Sequence, residues 1–288
     1  MTGRTTTLGI VSPGAMGSAL GRAWAARGSR VVATTSGRSE RTRGLTAGLE
    51  LLPDLDAVVA SSDVVVSICP PAAAEQVLTD LIAAAARTGS APLVLEANAV
   101  APDLVESLAA RAATAGLSLV DGSVSGGPPS PGGDTMLYLS GPRAAEVEAL
   151  AADGLRRRVV GDRAGLASAV KMCTASVYKG TTAIWAQALQ SAEALGVLDV
   201  VLEDLADELP EQVAAAGRRI ALAASKSARF VAEMEHIART QGRAGTSPEL
   251  FEGMAAVYRR LSATPLAALS PEEAQALTDL RDVLSRLT

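Results

Sequence analysis

Through residue 161 the sequence alternates short β-branched runs with alanine-rich stretches, and this alternation leaves few architectures open. Strand, helix and strand in succession make a βαβ unit, whose strands lie parallel and whose helices cover the sheet. Strands are expected over residues 7–12, 30–35, 63–68, 93–97, 117–121, 136–140 and 158–161, with helices in the gaps. Val64, Val65 and Val66 form an unbroken apolar run, as a strand covered on both faces requires. The fold class is therefore α/β, a doubly wound sheet at the N-terminus.

After Gly161 the strand-like runs vanish. Residues 164–195 read as one long helix, and alanine- and leucine-rich helices follow, punctuated by Gly196 and Pro210. Two domains are expected: residues 1–162 with the sheet, and an all-helical domain over 163–288. The densest Gly/Pro cluster, residues 126–134, must be a loop, either a plain connection or one facing a substrate.

The chain of 288 residues carries a net charge of -5, and its arginines are scattered, which argues against a nucleic-acid partner that needs a basic face. No apolar run is long enough for a membrane span, and residues 1–10 lack the features of a secretory signal, so no membrane and a cytoplasmic location are expected. Cys69 and Cys173 sit in apolar segments without metal-ligand spacing, and His236 is the single histidine. Reduced thiols and no metal are expected; His236, beside Glu233 and Glu235, reads as a surface helix residue.

The first strand runs into Ser12, Pro13, Gly14, Ala15, Met16 and Gly17, and then into a helix. This is the context of a dinucleotide fingerprint. Gly14 would let the backbone approach a pyrophosphate, Gly17 would let helix and strand pack closely, and the helix N-terminus offers unpaired N–H groups. The usual first glycine is replaced by Ser12. Some 20 residues on, where an NAD site carries an acidic residue for the ribose 2'-hydroxyl, the chain offers Ser36, Arg38 and Arg41 instead. A guanidinium matches a phosphate in charge and hydrogen-bond geometry, so NADP is the expected cofactor. Cys69, Pro70, Pro71 and Asn98 follow the ends of two further strands, where ligands of such sheets lie; Asn98 reads equally as a turn residue.

Lys171 is one of three lysines, in the otherwise uncharged apolar stretch 166–178. An ammonium in a desolvated cleft has its pKa pushed down, which suits it to give a proton to a carbonyl oxygen as hydride arrives. Thr174, Ala175 and Tyr178 share its helical face. Lys179 lies roughly 80° around the helix and reads as a surface or dimer contact.

Three segments, residues 12–17, 121–141 and 165–180, together resemble the β-hydroxyacid dehydrogenase superfamily, which includes 3-hydroxyisobutyrate and 6-phosphogluconate dehydrogenases and the imine reductases. The resemblance is strongest to a branch of NADP-dependent oxidoreductases with a poorly characterised helical C-terminal domain. It implies a Rossmann-like domain, a helical domain used for homodimerisation, and an active site in the cleft between them. It maps the substrate loop to Asp121, Ser123, Val124, Ser125, Gly126 and Gly127, with Ser123, Ser125, Gly126, Gly127 and Lys171 binding substrate. Lys171 takes the catalytic role, with Ser125, Thr174 and Tyr178 beside it. Relatives carry asparagine where this chain has Thr174 and Ala175, which puts the standard β-hydroxyacid substrate in doubt.

The leading expectation is an NADP-dependent oxidoreductase acting on a small carbonyl or hydroxy compound. An imine reductase comes second, because a lysine as sole proton donor would repel a cationic imine. A non-catalytic NADP-binding sensor is the reading from another class.

Overall fold

The computed structural model describes residues 5–287. By contact density the chain divides into two compact units, Met1–Lys171 and Met172–Thr288. The first holds eight strands and six helices and part of a seventh: β1 Thr7–Ile10, α1 Ala15–Ala25, β2 Arg30–Ala33, α2 Glu40–Leu45, β3 Glu50–Leu51, α3 Leu55–Ser61, β4 Val64–Ser67, α4 Ala74–Thr88, β5 Leu93–Glu96, α5 Pro102–Thr114, β6 Leu119–Ser125, β7 Thr135–Ser140, α6 Ala144–Glu148, β8 Leu155–Gly161 and the start of α7 Leu166–Ala194.

The strands form one sheet in the order β3-β2-β1-β4-β5-β6-β7-β8. Neighbours are parallel except β6 and β7, which run antiparallel. The N-terminal domain is thus a Rossmann-like doubly wound sheet. Alternate residues of the central strands feed two cores. Leu8, Ile10, Val31, Val66 and Leu95 pack with Leu20 and Trp24 of α1, while Val65 and Val94 pack with Leu78 and Leu81 of α4 and Leu108 of α5. Burial on both faces is why these strands read as continuous apolar runs. The strand order reverses between β1 and β4, so their carboxyl ends flank the crevice where such sheets receive ligands.

Seven of the eight strands were expected, and three details differ. β3 is an exposed two-residue strand that carries no apolar run. β6 extends to Ser125, so the segment aligned with a substrate loop is mostly strand: its polar Asp121 and Ser123 are buried. β8 begins at Leu155, so Arg156, Arg157 and Arg158 lie within the sheet's edge strand, where charge discourages pairing with another chain. Hydrogen bonds from Ser168, in the first turn of α7, to the Asp121 side chain of β6 tie the start of this helix to the sheet.

The second unit is all helical: the rest of α7, then α8 Leu198–Glu208, α9 Pro210–Ala224, α10 Ser227–Arg243, α11 Glu249–Leu261, α12 Pro271–Ala276 and α13 Leu280–Ser285. Gly196, at φ 72°, follows the end of α7 in the left-handed conformation that glycine tolerates. Pro210 opens α9, and Ser270 with Glu273 forms a capping box on α12. Ile220, Met234, Ile237, Tyr258 and Leu261 are buried, and Tyr258 meets Phe230 edge to face at 5.3 Å. No helix among the described residues is long and apolar enough to cross a membrane.

Candidate active site

The turn after β1 holds its shape through local bonds. Gly14 N–H donates to the Ser12 carbonyl at 2.8 Å, and the Ser18 hydroxyl donates to the Pro13 carbonyl at 2.6 Å. The two glycines differ in kind. A Cβ on Gly17 would lie 2.5 Å from the Ser12 carbonyl oxygen and 3.0 Å from Ile68, so only glycine lets α1 sit this close to the turn. A Cβ on Gly14 would meet nothing within 4 Å: it faces open space. The Ser12 hydroxyl oxygen is buried without a hydrogen-bond partner. A buried hydroxyl left unpaired costs about 1–3 kcal/mol, so a ligand oxygen at this turn would satisfy it. With the free N–H groups of α1's first turn, these features fit a diphosphate. Ala15 is exposed and Met16 half-buried in that same turn.

Beyond β2 the chain turns through Thr34 to Ser39, whose hydroxyl caps α2 by accepting from Thr42 N–H. Ser36, Arg38 and Arg41 are all exposed. Among the described residues neither arginine is in an ion pair with an acidic side chain, and Arg38 lies near enough to Cys69 to favour its thiolate.

Cys69 and Asn98 belong to one knot at the ends of β4 and β5. The Asn98 side chain accepts from Cys69 N–H at 2.5 Å and donates to the Ser67 hydroxyl at 3.0 Å, so it ties the two loops together. Asn98 is buried, Cys69 half-buried, Pro70 exposed and Pro71 buried. Beneath them lies Glu96, 1% exposed, a group that the sequence reading passed over. Burial pushes its carboxyl up to about 7, against bonds from Ser67 and Asn98 that favour the charged form. Burial and the neighbouring Glu96 push the Cys69 thiol up to about 11, so it stays protonated near neutrality.

On β6, Asp121, Ser123 and Ser125 share one face by strand alternation. Asp121 is fully buried and Ser123 nearly so, and the Ser123 hydroxyl also lacks a hydrogen-bond partner. Ser125 ends the strand half-buried, and Gly126 turns the chain away at φ 107°, a conformation reserved for glycine. Gly127 is exposed, its carbonyl accepting from the Thr135 hydroxyl. The Lys171 ammonium donates to the Val124 carbonyl at 2.8 Å. The amine therefore sits beside the end of β6, one residue before Ser125 in sequence.

In the helical unit Thr174 is half-buried and Tyr178 is 73% exposed. Tyr178 lines a cavity of about 410 Å³ with Thr182, Arg219, Lys226 and Phe230. Lys179 is no surface residue: it pairs with Glu233, which is 4% exposed and also bonded to Arg229 at 3.0 Å, and it lies over the Phe230 ring. The sequence reading passed over Glu233, whose burial depends on partners that the folded helices supply.

The family model described as the NAD binding domain of 6-phosphogluconate dehydrogenase matches residues 7–152. A domain of unknown function, DUF1932, matches residues 192–261. Lys171 and Tyr178 fall between the two. Among solved structures the chain is similar to a conserved hypothetical protein from Sinorhizobium meliloti 1021, at 24% identity and TM-score 0.68, covering 99% of this chain and 98% of that one. It is similar to Mycobacterium tuberculosis 3-hydroxyisobutyrate dehydrogenase, solved with L-serine, at 18% identity and TM-score 0.68 over 94% and 98% of the chains. The imine reductase of Streptomyces aurantiacus is also similar, at 22% identity and TM-score 0.55 over 98% and 100%. At these identities the likenesses establish the fold. No curated protein matches the chain.

Proposed function

The chain belongs to the family of the 6-phosphogluconate dehydrogenase NAD-binding domain, and from that membership we propose that it is an NADP-dependent oxidoreductase acting on a small carbonyl or hydroxy compound. The observation that carries the proposal is the Lys171 amine held 2.8 Å from the Val124 carbonyl, at the strand end next to Ser125. Nicotinamide, when bound, supplies the hydride that no side chain can.

The chain's own residues do the rest. The turn from Ser12 to Gly17 and the N-terminus of α1 hold the diphosphate, with the Ser12 hydroxyl available as a partner. Arg38 and Arg41, with Ser36, hold the 2'-phosphate; among the described residues neither arginine has an acidic partner, which supports NADP over NAD. Cys69, Pro70, Pro71 and Asn98 complete the cofactor side. Ser123, Ser125, Gly126 and Gly127 bind the anionic end of the substrate. Lys171 gives its Nζ proton to the substrate oxygen in reduction and takes it back in oxidation. Thr174 and Tyr178 follow on its helical face.

Imine reduction ranks second, because the Lys171 ammonium would repel an iminium substrate. Exposed Val177, Tyr178 and Ile184, at 65%, 73% and 57%, form a stripe on α7 that supports a homodimer through the helical domain. The function is tested by following NADPH fluorescence with glyoxylate, malonate semialdehyde and 1-pyrroline as probes. Oxidation of NADPH by an oxo acid supports the proposal; oxidation by 1-pyrroline alone favours the imine reading. Quenching without turnover by any probe would leave a sensor.

A further inference from the structure

We propose that Asp121 is the positioning residue for the Lys171 amine, acting as a clamp between strand β6 and the first turns of α7. The catalytic meaning of this clamp rests on the role proposed above for Lys171; the clamp itself is a matter of geometry.

Asp121 is fully buried in the middle of β6. A buried carboxylate is tolerated only when its oxygens are well supplied with donors. Here four converge. Oδ2 accepts from Gly165 N–H at 2.9 Å, from Ser168 N–H at 3.0 Å and from the Ser140 hydroxyl at 2.9 Å, and Oδ1 accepts from the Ser168 hydroxyl at 2.7 Å. The Ser140 hydroxyl in turn accepts from Ala167 N–H at 3.0 Å.

Across these five bonds three donors are backbone N–H groups of the kind that the start of a helix leaves unpaired. These three, on Gly165, Ala167 and Ser168, are satisfied by two side chains of the sheet, and the carboxylate stands at the positive end of the α7 dipole. Asp121 therefore fixes where α7 starts relative to β6. Lys171 comes three residues after Ser168, on the same helical face. Its Nζ returns to the same strand at the Val124 carbonyl, three residues or about 10 Å along β6 from Asp121. The helix is fastened to one strand at two points, by its backbone at Asp121 and by the tip of Lys171 at Val124. Without the first, the opening turn of α7 frays and the second is no longer held.

The chain offers an unusually clean test, because Lys171, Lys179 and Lys226 are its only lysines. The full-length wild type, Asp121→Asn and Ser168→Ala are exposed to trace acetic anhydride, and acetylation at each lysine is read by peptide mass spectrometry. In Asp121→Asn the acetylation of Lys171 relative to Lys226 should rise about three-fold or more as the first turn opens locally, while the Lys179 to Lys226 ratio stays at its wild-type value. Ser168→Ala, which removes one hydroxyl and no backbone group, should give a smaller rise in the same ratio. A Lys171 ratio unchanged in both variants overturns the proposal, as does a uniform rise at all three lysines, which is what general destabilisation produces. If Asp121→Asn does not fold, Ser168→Ala decides alone. The labelling reads where the amine is held, not what it does, so a fully active Lys171→Met enzyme would sink the functional reading and leave the clamp standing.

Discussion

Lys171 Nζ donates to the carbonyl oxygen of Val124 at 2.8 Å, which brings the α7 amine to the end of the strand that also presents Ser123 and Ser125. The carbonyl oxygen accepts from the amine and so directs it at the strand end.

The two glycines of the turn should fail in different ways. Gly17→Ala forces a methyl within 2.5 Å of the Ser12 carbonyl oxygen, so urea unfolding should show a loss of about 1–3 kcal/mol. Gly14→Ala places its methyl in open space, so stability should stay within about 0.5 kcal/mol of wild type while NADPH affinity drops. Equal stabilities for the two variants would contradict the geometry of the turn.

Arg38→Ala should weaken NADPH binding about ten-fold or more, the worth of one charged hydrogen bond to phosphate, and leave NADH nearly unchanged. Fluorescence titration with both nucleotides measures this. Equal losses for the two would remove the 2'-phosphate from the loop between β2 and α2.

Glu96 should make stability fall as the solution turns alkaline. Its native carboxyl titrates near 7, raised from 4.5 by burial. Between those values the folded chain holds a proton that the unfolded chain has lost, so the stabilising contribution present below about 4.5 is lost as pH rises through 7. Glu96→Gln keeps the shape without the charge. It should gain on the order of 2 kcal/mol over wild type at pH 8 relative to the difference at pH 4.5, in urea unfolding at both values. The same difference at both pH values would show that Glu96 ionises freely.

Most of this architecture was legible in the chain because it depends on local patterns: apolar runs for strands covered on both faces, a glycine turn between a strand and a helix, and an unbroken stretch for α7. What escaped depends on distant partners. The burial of Asp121 and Ser123 escaped because polar side chains at a strand end look solvated until distant parts of the chain pack over them. The burial of Glu233 escaped because its pairing with Lys179, distant in the chain, exists only in the folded protein. β3 escaped because two exposed residues carry no pattern. Asn98 stood between turn and ligand contact, and its bonds to Ser67 and Cys69 give it a definite structural task in joining two strand ends. The glycine turn and Lys171 each stand out from their own neighbours in the sequence.

The most direct measurement is the turnover of Lys171→Met beside its NADPH affinity. Methionine keeps the apolar stem and removes the proton, so turnover of the oxo-acid probe should fall by about 100-fold or more, as loss of a general acid does, with the nucleotide bound as tightly as by wild type. Full turnover with unchanged binding would show that the proton comes from elsewhere, and the account of this site would be wrong.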